Sequence, residues 1–457
     1  MRSLSGSSLR NRILRSGAWS LFGHATSQAI RLGSSLIMTR LLMPEMFGVM
    51  AIANVILFGI ALFSDLGLRQ NIIQSRRGHD PVFLNTVWSV QIIRGALLWC
   101  IAVLIGLMLY FLNQTHILQL NGVYSEPILP WVIGTLALSA LISGFESTKL
   151  ASASRNLLLG KITLIDLASQ IGGLLTMLAW IYIDRSIWAL VAGGIFSSIV
   201  KTVLSHTALP GENNKLHWDA ESFYEIFHFG KWIFLTSIMG FLINSIDRLL
   251  LGGLISAEAL GVYSIAVLLS GAFQEVVSKL TGSVAFPALG EIKRLQPDRV
   301  KELYYKIRLP IDTFCLFFAG FLFLTGEIIV SFLYDSRYIT AGKLLEILSL
   351  SLLSIRYNVV DQFYMVLGKP KIMAFIIAIR LVFLTLFLPI GYWLFALEGA
   401  AWGIVIAWML GSLVTLFHIK RKIGLLDLSK ELRTLIIFPI GLLIGEAVKF
   451  LWNTILY

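Results

Sequence analysis

The sequence predicts an all-α integral membrane protein of about thirteen transmembrane helices (range about 12–14), built as two six-helix lobes related by a parallel internal repeat around a central cleft. Three observations predict it. Of 457 residues, 57% are hydrophobic and 14% charged, with a mean hydropathy of +0.80, which is more apolar surface than a soluble core can hide. The charges fall in short clusters between apolar runs. One stretch of chain recurs, without a gap, 213 residues further on.

The chain opens with a basic tail, 1–16, carrying Arg2, Arg10, Arg12 and Arg15. The apolar run behind it is too long for a signal-peptide core, so the tail is expected to stay in the cytoplasm. At roughly 20 apolar residues per crossing, spans fall near 17–42, 46–64, 85–112, 127–148, 160–182, 186–207, 226–252, 260–287, 309–333, 340–366, 372–394, 398–419 and 434–454. The organisation that follows is an N-terminal lobe at 17–207, a cytoplasmic linker at 208–225, a C-terminal lobe at 226–419, and a loop with one additional helix at 420–457. The loops are too short to fold as separate domains.

Net charge is +11, which in a soluble protein would suggest nucleic acid. The distribution argues otherwise. Basic residues gather in alternate loops: Arg69, Arg76 and Arg77; Lys149, Arg155 and Lys161; Lys293 to Arg308; Lys369 and Lys371; Lys420 to Arg433. The intervening loops carry little beyond Arg40, Arg185, Arg337 and Lys343. This is the positive-inside pattern, and it places the N-terminus in the cytoplasm. No nucleic-acid partner is expected. Cys100 and Cys315 both lie within apolar runs, which excludes a disulfide framework and a zinc cluster.

The repeat pairs Gly17 with Gly230, Trp19 with Trp232, Glu45 with Glu258, Gly48 with Gly261, Val49 with Val262, Ile52 with Ile265 and Ala53 with Ala266. Its core strings are PEMFGVMAIA and AEALGVYSIA, each where an opening helix ends and its successor begins. An even number of intervening spans makes both copies enter the membrane in the same direction, the parallel arrangement of several secondary transporters.

The string Phe63-Ser64-Asp65-Leu66-Gly67-Leu68, then Asn71-Ile72-Ile73-Gln74, Trp88, Gln91, Arg94 and Gly95, resembles the polysaccharide-transporter branch of the multidrug/oligosaccharidyl-lipid/polysaccharide flippase superfamily. So do Asp247, the segment Leu260-Gly261-Val262-Tyr263-Ser264-Ile265-Ala266 and Phe286-Pro287-Ala288-Leu289. Asp65, Gly67, Gly48 and Gly261 are the residues that carry the motif. The resemblance spans about 17–419. It implies a bacterial inner-membrane protein that moves a polyprenyl-diphosphate-linked oligosaccharide from the cytoplasmic to the periplasmic leaflet for surface polysaccharide or exopolysaccharide synthesis. Its implied partners are that substrate, membrane lipids, and polysaccharide polymerase and export machinery.

Charges at mid-bilayer are costly and usually face a protein interior or water, so each is a candidate site. Arg31 lies about halfway along the first span, Arg356 is similarly deep in the tenth, Arg380 is two turns into the eleventh, and Arg94 sits in the cytoplasmic third of the third. Guanidinium groups stay protonated and offer bidentate hydrogen bonds to a diphosphate. Arg94 and Arg380 can equally snorkel to headgroups. Asp247, Arg248, Asp166 and His24 are candidates for coupling or gating, with Asn244 at the repeat position of Arg31. Asp312 and Asp361 suit fixed ion pairs. Around Asp65, an interfacial segment is expected to turn Leu66, Leu68, Ile72 and Ile73 to lipid and Arg69, Arg76 and Arg77 to headgroups.

The pairs Gly172-Gly173, Gly193-Gly194 and Gly252-Gly253 are not followed by the Lys-Ser/Thr of a phosphate cradle, so nucleotide use, cofactor and metal are not expected. A catalytic role would need convergent acid, base and nucleophile, whereas the seven histidines are scattered. An ion-coupled small-molecule exporter of the same superfamily is the alternative to the flippase; a membrane glycan polymerase or ligase is less well supported.

Overall fold

A computed structural model describes residues 9–64, 66–115, 119–295, 299–367, 370–422 and 427–456. Asp65 and the first eight residues of the tail lie outside the described residues. Helices account for nearly all of the described chain, in keeping with a bilayer solvent that satisfies no backbone group. The chain divides into two compact units, Met1–Phe241 and Leu242–Tyr457.

The first unit runs α1 (Leu9–Leu41), α2 (Pro44–Phe63), α3 (Leu68–Gln74), α4 (Pro81–Thr115), a 3₁₀ turn at Gly122–Ser125, α5 (Leu129–Leu136), α6 (Leu138–Gly144), α7 (Lys149–Arg155), α8 (Leu159–Ile183), α9 (Trp188–Thr207) and most of α10 (Ala220–Gly252). The second continues with α11 (Ala257–Leu280), a π turn at Thr281–Ala285, α12 (Phe286–Leu295), α13 (Val300–Leu333), a 3₁₀ turn at Ser336–Tyr338, α14 (Ile339–Ser349), α15 (Leu352–Ile355), α16 (Asn358–Val366), α17 (Pro370–Lys422), α18 (Leu428–Leu435) and α19 (Ile437–Leu456).

Among the described residues, nine helices are long and apolar enough to cross a membrane, or ten if the bent pair Leu129–Gly144 and Lys149–Arg155 forms one span. The expected number of about thirteen is therefore not what length and apolarity return. With that pair counted, three of the expected spans are not returned: 226–252, which lies in α10, 17–42 in α1, and one of the two expected within α17. Helix α1 is long but interrupted by His24, Gln28 and Arg31, and α17 counts once although it folds back on itself.

The fold-back is built on glycine. Dihedrals at Phe395 and Ala396 are non-helical, Ala396 having φ 49°. A Cβ on Gly399 would strike the Gly391 carbonyl, and one on Gly403 would strike the Phe387 carbonyl. These two contacts are symmetric about residue 395, so residues 370–394 and 397–422 form an antiparallel pair whose backbones touch, as small residues permit in membrane helices.

The hairpin repeat is present in both copies. Helix α11 starts 213 residues after α2, at Ala257 against Pro44. Pro44 occupies the first helical turn, where its missing N–H costs nothing, whereas Ser256 caps α11 by accepting from the Ala259 amide. The shared Gly48 and Gly261 are buried, as are Val49, Ile52 and Ala53 with Val262, Ile265 and Ala266. What the repeat retains is thus a packing face.

Helix α3 departs from the interfacial expectation. Leu68 and Ile72 are buried rather than turned to lipid, packing with Phe83, Val87, Val90, Ala151 and Ile226 and with partly buried Leu66; Ile73 alone of the four is well exposed. The physical reason is that protein neighbours cover α3 before lipid can. Gly67 opens it in the left-handed conformation, φ 59°, which favours glycine. Arg155 closes it, its Nη1 donating to the carbonyls of Ile72 at 2.7 Å, Ile73 at 3.1 Å and Ser75 at 2.6 Å, where a cation complements the helix dipole. Arg77 pairs with Asp80 at 3.1 Å and Asp219 at 3.6 Å.

Two outcomes test these features. Ala396→Gly should raise the unfolding midpoint in detergent by relieving about 1–3 kcal/mol of left-handed strain, and Gly399→Ala should lower it through overpacking by about 1–3 kcal/mol. Asp219 accepts from the Ser222 hydroxyl at 2.5 Å and amide at 2.9 Å, and these bonds, with Arg77, hold its carboxyl below the ordinary value. A depressed carboxylate stabilises above its unfolded pKa and stops doing so as pH falls through the folded one. Asp219→Ala should therefore unfold at lower temperature than the parent at pH 7, with the gap closing below about pH 4.

Candidate functional site

In the second unit, the break between α15 and α16 places Arg356 at a helix joint rather than inside a continuous span. The backbone there turns through Tyr357, and both side chains enter a buried polar cluster. Arg308 of α13 lies at its centre with no exposed surface. Its Nε donates to Asp312 at 3.1 Å, its Nη1 to Tyr304 at 3.1 Å, and Nη1 and Nη2 grip the carboxylate of Glu431 on α18, the Nη2 bond being 2.7 Å. Such a fork on a carboxylate is the strongest geometry available to guanidinium.

Arg356 donates Nη2 to the Tyr357 hydroxyl at 2.7 Å and Nε to the Leu353 carbonyl at 3.1 Å. Its Nη1 makes no hydrogen bond and sits 3.9 Å from Asp312. The Tyr357 hydroxyl in turn donates to Glu431 at 3.2 Å. The ring of Tyr357 carries one guanidinium carbon at 4.5 Å and the other at 4.7 Å, a distance at which cation–π attraction operates. Two arginines face two carboxylates, so the cluster is neutral as a whole.

Arg380 forms a second buried pair with Asp361 at 2.9 Å and donates to Thr415 at 3.0 Å. It crosses α17 over Gly411, where a Cβ would collide with its own side chain. Snorkelling, one of the two expectations for it, does not describe a side chain 5% exposed. In the first unit Arg94 donates to the Ala61 carbonyl at 2.7 Å and the Ser64 hydroxyl at 3.0 Å, so its charge lies on the C-terminus of α2. Arg31 differs from these three. It is exposed, midway along α1, on a helix bonded to α8 through Gln170 and Ser27 at 2.6 Å.

The remaining candidates are dispersed. Asp166 pairs with Lys201 at 3.2 Å beside a cavity of 120 Å³ that Arg69 and Glu146 also line. Asp247 accepts from the Tyr263 hydroxyl at 2.6 Å, while Arg248 and His24 are half-buried. Sequence reasoning passed over Arg308, Glu431, Glu146 and Lys201. The spacing of Arg308 and Asp312, four residues apart and therefore on one helix face, was the available signal. Lys201, inside an otherwise uncharged run, was another. Among the described residues no group of three or more His, Cys, Asp or Glu could hold a metal.

Residues 37–343 match the family described as polysaccharide biosynthesis protein. The chain belongs to that family. The Shigella flexneri protein named "Putative O-antigen transporter" is 24% identical over 401 residues, covering 81% of this chain and 88% of the relative. The "Lipopolysaccharide biosynthesis protein WzxC" of Escherichia coli K12 is 22% identical over 305 residues, covering 66% of this chain and 58% of its own. Among solved structures, the lipid II flippase MurJ in an inward closed conformation superposes with a TM-score of 0.71 at 15% identity, covering 96% of this chain and 98% of MurJ. This polysaccharide biosynthesis protein therefore has a MurJ-like, all-helical, multi-pass membrane fold.

The Arg308 cluster has a measurable signature. Removing one partner of a buried ion pair costs about 3–5 kcal/mol because the other charge is left alone, whereas removing both costs much less. Glu431→Gln and Arg308→Met should each lower the unfolding midpoint sharply, and the double variant should be more stable than the sum of the singles predicts. Strict additivity in this cycle would show that the two side chains are uncoupled.

Proposed function

We propose that this protein flips a polyprenyl-diphosphate-linked oligosaccharide from the cytoplasmic to the periplasmic leaflet by alternating access, supplying surface or exopolysaccharide synthesis. The observation that carries the proposal is the match to an O-antigen transporter relative over 81% of the chain, on a fold shared with a lipid II flippase. The sequence relatives are named for O-antigen transport and lipopolysaccharide biosynthesis, which favours this reading over the small-molecule exporter. Transport, not catalysis, is its activity. It resides in the bacterial inner membrane with the N-terminus in the cytoplasm, a placement supported by the alternation of basic loops.

Arg31 is the residue assigned to the diphosphate. A cation on an intramembrane helix that keeps its exposure can offer charge-assisted bonds to a phosphate. Arg94, Arg356 and Arg380 each donate two hydrogen bonds to protein acceptors, so their contribution is to hold helices in position, with Nη1 of Arg356 and Nε of Arg380 remaining as donors without hydrogen bonds. Coupling or gating is assigned to Asp166, paired with Lys201, and Asp247, bonded to the Tyr263 hydroxyl, with Arg248 and His24 as further candidates. Polysaccharide polymerase and export machinery would take the product.

The test is flipping of a fluorescent polyprenyl-diphosphate oligosaccharide in proteoliposomes. Arg31→Ala should slow flipping about tenfold or more, the value of one charge-assisted hydrogen bond, and Arg31→Lys should recover part of it. An unchanged rate in Arg31→Ala at equal reconstitution would remove the arginine from the transport path. Absence of flipping by the parent protein, with export of a small cationic solute, would replace the substrate class.

A further inference from the structure

The end of α4 remote from its basic neighbours carries a feature that the flipping proposal does not use. A cavity of 440 Å³ is lined by nine residues. Four of them are the carboxamides Asn113, Gln114, Gln119 and Asn121, set among Tyr110, Ser125 and the apolar Leu120, Pro127 and Pro130, and no charged side chain is among the described lining residues. Each carboxamide presents a donor and an acceptor side by side, which is the complement of two adjacent sugar hydroxyls and offers nothing special to a phosphate or a carboxylate. Asn113 is held in place by its bond to the Tyr124 carbonyl at 3.3 Å.

The polar cavity continues into an apolar one. A second cavity, of 270 Å³, shares Tyr110 and Pro130 with the first and is otherwise lined by residues such as Trp99, Val103, Leu107, Trp131 and Leu138. Two of its walls approach closely: a Cβ on Gly106 would lie 2.8 Å from the Pro130 carbonyl oxygen. Tyr110 and Trp131 meet edge to face at 6.0 Å where the two cavities join. Trp131 is 58% exposed and Leu107 54%, so the apolar cavity opens sideways to whatever surrounds the helices. An aromatic pair with a polar side and an apolar side is suited to a membrane–water boundary.

We propose that these joined cavities bind an amphiphile with an uncharged, hydroxyl-rich glycosyl head, the head among the carboxamides and the first part of the hydrocarbon chain along Trp99, Leu107 and Trp131. Two kinds of molecule share that chemistry: a neutral membrane glycolipid, and the sugar portion of a lipid-linked glycan. The site stands independently of Arg31 and of the direction of flipping.

The experiment uses the full chain in phosphatidylcholine nanodiscs with a photoactivatable diglucosyl diacylglycerol as probe, and maps labelled peptides by mass spectrometry. Labelling is expected on residues 99–131 and should be displaced by unlabelled diglucosyl diacylglycerol but not by phosphatidylglycerol of the same chain length. Gln114→Ala combined with Asn121→Ala should reduce labelling at least fivefold while keeping the parent's unfolding midpoint, and Tyr182→Ala, at an exposed position outside both cavities, should leave labelling unchanged. Displacement by a polyprenyl-linked neutral glycan as well would assign the site to the transported class, and displacement by the diacyl glycolipid alone would assign it to a membrane lipid. Equal displacement by phosphatidylglycerol, or full labelling of the double variant, would overturn the proposal, since either result means that the groove accepts any acyl chain and the carboxamides recognise nothing.

Discussion

A guanidinium cannot be left in a low-dielectric interior without an anion, water or a ring of acceptors, and the second unit is arranged around that constraint. Arg308 is completely buried, and every element near it supplies something to neutralise it. Asp312 comes from the next turn of the same helix, Tyr304 from the preceding one, and Glu431 from α18. The last of these has topological consequences. Helix α18 is short and largely polar, with little apolar area of its own to bury, so the Glu431 fork is the main specific reason for it to dock where it does. Docking α18 in turn sets where α19 begins, and α19 lies along α13 closely enough that a Cβ on Gly441 would strike the Phe317 carbonyl.

The same constraint explains why helices break where they do. Continuous helix through 340–366 would have pointed Arg356 by helical period alone, whereas the joints at Ser351 and Tyr357 let it lie against Asp312 and the Tyr357 ring. Irregular backbone at membrane depth is tolerable only where protein lines it, and these joints are buried: Leu352, Ile355, Tyr357 and Val359 are all at or below 4% exposure. A polar cluster and a broken helix therefore support each other, the break giving the arginine its direction and the cluster giving the break its enclosure.

Much of this architecture was legible in the sequence because hydropathy and period are one-dimensional properties. Helix α2 begins two residues before the span expected at 46–64, and α9 matches 186–207 within two residues. The repeat was legible for a related reason: the residues it preserves, Gly48, Ile52 and Ala53 with their partners Gly261, Ile265 and Ala266, are buried ones, where substitution is most costly. That Asp312 and Asp361 suit fixed ion pairs was legible, but the partners of the charges were not. Arg308 looked like one more basic residue of a cytoplasmic loop, since its partner Glu431 is 123 positions away and nothing local connects them. Burial of α3 was hidden for the same reason, its cover coming from Phe83, Ala151 and Ile226. Only the i, i+4 spacing of Arg308 and Asp312 offered a local trace.

These pairings also change what an intramembrane arginine signifies here. A charge that is costly in hydrocarbon is tolerated once a carboxylate built beside it offsets part of its desolvation, so depth alone does not distinguish a substrate contact from a structural pin. Exposure does. Arg356, expected at the same depth as Arg31, and Arg380, expected two turns into its span, are each 5% exposed beside an acid, whereas Arg31 is exposed on a helix whose repeat counterpart carries Asn244 at the same position. The two copies keep the buried hairpin face and differ in the charge displayed beyond it. A duplicated scaffold is held constant where packing makes substitution costly and is free to vary beyond that face, so the diphosphate role proposed for Arg31 belongs to a position that the repeat does not preserve.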